Sequence, residues 1–402
     1  SMMPILSRSI SNKKELNTKK LSYTLLLFIN FSALFIPVSA TETGDLQVEL
    51  GKQLYFDQNL SFNRTQSCAT CHSPNHGFVD IQTSKFNGAV SLGDDGKSFG
   101  DRSAPTASYA NQIPDFHLRK DGQYVGGQFW DGRESNLKGQ AGGPPLNSME
   151  MGMPSKESVL VRLKENSIYA TSFKKIYGDD VFNTPESAYQ ALTASIASFE
   201  QTDLFSPFNS KYDRFLDGDY QLTEQEDLGM TLFFSDQFSN CNQCHQLKAI
   251  PATKKETFSD YTYHNIGVPK NIAVREHNQT PSDYRDLGLF HHPKVTEISN
   301  KGKFKVPTLR NVAVTAPYMH NGVFTELETV VDFYNKYNSK NTKRQINPET
   351  NKPWAAPEVE ENISFEELQS GPALDDKRIN ALVAFLKLLT DKRFEYLVGA
   401  NK

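Results

Sequence analysis

Two five-residue stretches hold every cysteine of this chain: "CATCH" at 68–72 and "CNQCH" at 241–245. A CxxC pair can be a redox disulfide, half of a zinc site, or the anchor of a haem. A thioredoxin-type redox pair sits in a βαβ setting, and neither stretch has one. Two CxxC knuckles could make a four-cysteine zinc site, which leaves the adjacent histidines without a role. Covalent haem attachment uses all three residues, because the thiols add to the vinyl groups and the next residue falls under the iron. The expectation is two c-type haems, held by Cys68/Cys71 and Cys241/Cys244, with His72 and His245 as proximal ligands. Zinc and a disulfide stay open as alternatives.

Export bears on this choice. Lys13, Lys14, Lys19 and Lys20 precede the uncharged run "LSYTLLLFINFSALFIPVSA", which ends in small residues. That is the pattern of a secretory signal, residues 1–40, cleaved after Ala40. An uncleaved anchor is the alternative, since a run of this length can just span a bilayer. Either way the rest is exported, and a periplasmic location without membrane association is expected after cleavage. A net charge of -4 over 402 residues gives no reason to expect nucleic acid or an anionic membrane as partner.

The length allows about two domains. Helical periodicity dominates, with amphipathic stretches at 157–178, 186–201, 223–234, 327–337 and 375–392. Thr223 and Glu226 have the spacing of a capping box. Stretches 86–106 and 138–153 read as long loops, unusual unless they carry function. A division near 203 puts one CxxCH in each half. The expected fold is mainly α: two tandem cytochrome c-like domains, 41–203 and 204–402.

Further motifs follow in order: "GKQLYFDQNLS", "RSAPT", "FWDGR", "GPPLNSMEMG", "YDRFLDGD", "YHNIGVP", "VPTLRNVAVTAPYMHNG" and "LVAFLKLLTD". Together with the two CxxCH stretches they resemble the bacterial di-haem cytochrome c peroxidase family, and within it the MauG branch with its MbnH-type enzymes. The resemblance covers roughly 45–395. It implies that the N-terminal half handles hydrogen peroxide and the C-terminal half transfers electrons. Classical peroxidases of the family carry a distal histidine before the "APT" motif. Here Asp94 or Asp95 stands in that interval, and no histidine lies between His76 and His117. His76 is only four residues from His72, too close in the chain for the usual distal ligand. An open first iron is therefore expected.

By the same resemblance Glu150 matches the distal carboxylate that moves protons during O–O cleavage, Gln140 the distal amide, and Pro144 a pocket-lining residue. Trp130 matches the indole between the haems; core packing is its other reading. Tyr334, fourteen residues beyond His320, matches the sixth ligand of the second iron, where classical peroxidases have methionine. Met319 as ligand and Tyr334 as plain helix core are the alternatives. His320 matches a loop histidine that orients a propionate. A calcium ion between the haems would use Ser103, where the family has asparagine, with carbonyls of Thr315 and Pro317.

Three functions remain in view. One is a MauG-type oxidoreductase, in which peroxide produces a bis-Fe(IV) state that oxidises a residue of a partner protein by long-range electron transfer. The second is a peroxidase fed by a small cytochrome or cupredoxin donor. The third is a di-haem electron carrier. Tyr334 and the missing histidine favour the first.

Overall fold

The computed structural model describes residues 40–82 and 85–399; the expected export signal lies outside them. Among the described residues no helix is long and apolar enough to cross a membrane.

The described residues are mainly helical, with three two-stranded antiparallel sheets of two residues per strand among them. Two helix pairs organise it. Ala40–Tyr55 packs on Pro185–Glu200, and Glu224–Phe233 packs on Asp376–Lys387. Each pair crosses at a glycine. A methyl at Gly51 would overlap the Ser195 carbonyl, and one at Gly229 the Ala381 carbonyl. Only hydrogen at Cα permits backbones to approach so closely.

Two main apolar clusters form around these pairs. One gathers Leu50, Leu54, Leu163, Phe173, Leu192 and Phe205. The other gathers Phe233, Phe258, Leu382, Phe385 and Leu389. The 3-10 turn Lys392–Leu397 crosses back, and its Phe394 is buried in the first cluster. Asp391 secures that crossing: it accepts from Tyr109 Oη at 2.6 Å and Asn311 Nδ2 at 2.9 Å.

The helical stretches become helices with one exception, and one expected loop is partly helical. Stretch 157–178 is not one helix but Lys156–Glu165 and Ser167–Tyr177. Asn166 between them is extended, and its side chain accepts from the amides of Ile168 and Tyr169, capping a new start. Stretch 138–153 is not all loop, for it contains the short helix Leu137–Ala141 and a 3-10 turn, Pro144–Leu146. The capping box at Thr223 is present, with Thr223 Oγ1 accepting from the Glu226 amide at 3.2 Å.

Candidate haem cavities and active site

Each CxxCH opens onto its own cavity. Cys68, Cys71 and His72 line the first, together with Gln140, Pro144, Glu150, Ser103, Thr315 and Pro317. Cys241, Cys244, His245, Tyr334 and His320 line the second. Trp130 and Met319 line both. The four cysteines are free thiols divided between two cavities. Among the described residues no group of three or more histidine, cysteine or acidic side chains could hold a metal ion. The structure thus contains neither the disulfide nor the four-cysteine zinc site.

The two histidines are presented alike. His72 Nδ1 lies 3.3 Å from the Phe78 carbonyl, and His245 Nδ1 lies 2.9 Å from the Phe258 carbonyl. Both phenylalanines are fully buried with positive φ, 55° and 56°. A carbonyl on Nδ1 selects the tautomer that leaves Nε2 as a lone-pair donor, and burial keeps both rings neutral. Burial also pushes the Cys68 thiol up to about 12 and raises the other three. Protonated thiols beside a neutral imidazole in a cavity that also presents apolar side chains are a donor set that fits haem.

In the second cavity the Tyr334 hydroxyl has no hydrogen-bond partner among the described residues, and burial raises its pKa. His320 Nε2 is a buried atom without a partner. Its ring stacks on Phe304 at 3.6 Å, and burial lowers its pKa to about 3. These unpaired polar atoms are costly unless a bound group meets them.

In the first cavity His72 is the one histidine among the described lining residues; His76 is not part of the wall. Burial raises Glu150 above the ordinary carboxylate range, with Arg133 and Asn147 opposing. Asp94, one of the residues in the distal-histidine interval, is turned away: its carboxylate accepts from Thr65 Oγ1 at 2.6 Å and from the Asn63 amide at 2.5 Å. Ser103 binds the loop around Trp130, since its carbonyl accepts from the indole N–H at 2.9 Å. The Ser103 hydroxyl donates to the Met319 carbonyl at 3.2 Å, which leaves its oxygen lone pairs free.

Three residues of these walls were not evident from the sequence. Glu200, at the end of its helix, lines the first cavity and is buried, and burial alone raises it to about 8. Lys305 is buried at the boundary of both cavities. His264 lines the second cavity and holds Thr262 Oγ1 at 3.0 Å and Ser364 Oγ at 2.9 Å. The "YHNIGVP" motif contains this histidine, so a signal existed for it alone.

A mainly helical chain with two separate cavities, each offering two thiols and an imidazole, defines a di-haem protein class. The comparisons are specific. The di-haem cytochrome c peroxidase family model matches residues 45–221. The methylamine utilization protein MauG of Paracoccus denitrificans is 48% identical over 375 residues, 92% of this chain and 96% of that protein. The cytochrome c551 peroxidase of Nitrosomonas europaea is 31% identical over 346 residues, 85% of each. The solved di-haem peroxidase BthA of Burkholderia thailandensis superimposes with a TM-score of 0.76 at 30% identity, covering 88% of each chain. A MauG-like protein associated with microbial copper homeostasis gives 0.62 at 26% identity, covering 87% and 90%. The chain belongs to the di-haem cytochrome c peroxidase/MauG family: it is a peroxidase-type oxidoreductase with two haem cofactors.

Proposed function

We propose that this enzyme is of the MauG type: an exported di-haem protein that takes two oxidising equivalents from hydrogen peroxide as a bis-Fe(IV) state and spends them on a residue of a partner protein. The halves 41–203 and 204–402 are read as tandem cytochrome c-like domains. Each haem is held covalently by its CxxCH, with His72 and His245 as proximal ligands. The observation that carries the reading is Tyr334, half-buried on the wall of the same cavity as His245, with no hydrogen-bond partner for its hydroxyl among the described residues. A phenolate oxygen stabilises high oxidation states of iron, whereas a thioether stabilises the ferrous state; the axial ligand is a principal control of haem potential.

Haem supplies the iron that takes peroxide and the orbitals that hold its oxidising equivalents. The protein supplies the rest. Glu150 accepts a proton from the near oxygen of peroxide and returns it to the leaving one, a task suited to a carboxyl raised by burial. Gln140 orients the peroxide, and Pro144 lines the site without offering a ligand atom. Trp130, on the wall of both cavities, relays charge. His320, its Nε2 otherwise orphaned, binds a propionate. Calcium is read onto the carbonyls of Thr315 and Pro317 with the Ser103 hydroxyl, a weaker set than an amide would give; metal analysis after chelation and repletion tests it.

The second reading, a peroxidase drawing electrons from a small cytochrome or cupredoxin, is favoured by the 31% identity to a cytochrome c551 peroxidase. One experiment separates the two. Stoichiometric peroxide is added to the diferric protein, and the near-infrared spectrum is followed with and without candidate partners. A charge-resonance band that decays faster with a partner protein supports the MauG type. Reactivity that appears only after one-electron reduction supports the classical peroxidase.

A further inference from the structure

Lys305 stands where the two cavities meet. It is buried and lines both. Its Nζ donates to the carbonyls of Gly127 at 2.6 Å and Phe129 at 2.8 Å, and its backbone N–H donates to the Trp130 carbonyl at 3.0 Å. One residue thus holds the whole stretch 127–130, which ends on the indole shared by both walls.

An ammonium has three donors. Among the described residues the third finds no acceptor. Asp131, the acid whose charge it feels, is bound to Arg102 at 2.8 Å and Arg133 at 3.1 Å. A buried cation without its own counter-charge is costly. Burial pulls the amine down to about 7, against the attraction of Asp131. A spare donor on a buried cation, at the seam of two cavities, fits an anion that arrives inside one of them.

We propose that Lys305 is a carboxylate post: its third N–H binds a propionate of one haem while the other two clamp the stretch that positions Trp130. This rests on the reading that both cavities hold haem. Lys305 is then a positioning residue that ties the cofactor to the indole through one side chain.

The test uses the full chain, matured with haem, as wild type and as Lys305→Met, Lys305→Gln and Lys305→Arg. Intact mass comes first. A wild type with fewer than two haems overturns this proposal and the haem reading together. With two haems present, spectroelectrochemistry reads each midpoint. Losing the cation leaves the carboxylate charge uncompensated and favours oxidised iron. Lys305→Met and Lys305→Gln should each raise the oxidised-to-reduced ratio of one haem at least tenfold at fixed potential, ~59 mV for a one-electron couple. The haem that moves identifies the cavity that supplies the carboxylate. Lys305→Arg should change the ratio less than threefold. Exchange of the amides in 127–130 should quicken in Lys305→Met. Should the methionine variant fail to accumulate, glutamine against arginine decides on the same ratio. Two haems with wild-type midpoints in Lys305→Gln overturn the proposal and leave the haem reading standing.

Discussion

Trp130 and His320 begin the same construction in the two halves. Each follows a residue with positive φ, Phe129 at 63° and Met319 at 73°, and each is followed two residues on by a positive-φ glycine, Gly132 or Gly322. An isolated antiparallel bridge closes each turn, Gln128 with Glu134 and Tyr318 with Phe324. A helix then starts at Leu137 in one half and Leu327 in the other. From there the halves part. Leu327–Asn335 runs unbroken and carries Tyr334 to the second cavity. Leu137–Ala141 stops at Gly142, because the following Gly143, Pro144 and Pro145 cannot sustain it. Fourteen residues beyond Trp130 stands Pro144; fourteen beyond His320 stands Tyr334. One half thus offers a hydroxyl at the position where the other offers a ring without a donor atom. The broken helix also lets the chain turn and bring Glu150 to the first cavity wall. One local choice, helix or proline, places a phenol on the wall of one cavity and a proline ring on the wall of the other.

Tyr334→Met should break this contrast most strongly. If Tyr334 ligates the second iron as proposed, a neutral thioether in its place removes a phenolate charge that would lower the cost of oxidising that iron. The variant should still consume peroxide, since Glu150, Gln140 and Pro144 are untouched, yet lose the near-infrared band and most partner oxidation. The second midpoint should rise. An unchanged midpoint and unchanged partner oxidation would show that Tyr334 does not ligate iron. Glu150→Gln should act on the other half alone. General acid–base catalysis contributes roughly 10²–10⁴-fold, so stopped-flow reaction with peroxide should slow by about that factor with the second haem unaltered. In the wild type the rate should fall as pH drops through the raised Glu150 pKa, because only the ionised carboxylate accepts the proton; the glutamine variant should lose that step. A variant that keeps both rate and profile would remove Glu150 from the chemistry.

The sequence was most informative where the chemistry is local. Both CxxCH stretches, the capping box at Thr223 and the main amphipathic helices could be read directly, as each is written within a few residues. The break at Asn166 was missed because apolar spacing runs through it, while the asparagine side chain competes for the amides behind it. Lys305 and Glu200 were invisible for another reason. A lysine or glutamate in a sequence is ordinarily a surface residue. Their burial arises only when distant segments close around them: the stretch 127–130 over Lys305, and the walls of the first cavity around Glu200. The correspondence of Pro144 with Tyr334 was likewise hidden until the matching turns at Trp130 and His320 came into view.

The smallest predicted effect sharpens the same contrast through stability. Against the cost of burial, hydrogen bonds from Arg102 hold Asp286, on the second wall, well below the usual carboxylate range. The first wall holds two acids that burial pushes the other way, Glu150 and Glu200. Glu200 has an unfolded reference near 4.5 and rises to about 8 in the folded chain. Between those values the native state keeps a proton that the unfolded state has released. Its stabilising contribution is therefore complete below about 4.5 and is lost as pH climbs towards 8. The limiting slope for one such group is about 1.4 kcal/mol per pH unit. Glu150 contributes with the same sign, so the wild-type slope contains both. Tyr55, which feels the Glu200 charge, is itself raised and stays protonated throughout this window, and Cys68, once bonded to haem, is a thioether that does not titrate. Glu200→Gln should flatten the decline in guanidinium unfolding free energy between pH 5 and pH 8 while leaving the second haem midpoint untouched. An undiminished slope in that variant would mean that Glu200 is ionised in the native state, and that the bound haem or a cation supplies the partner the cavity wall lacks.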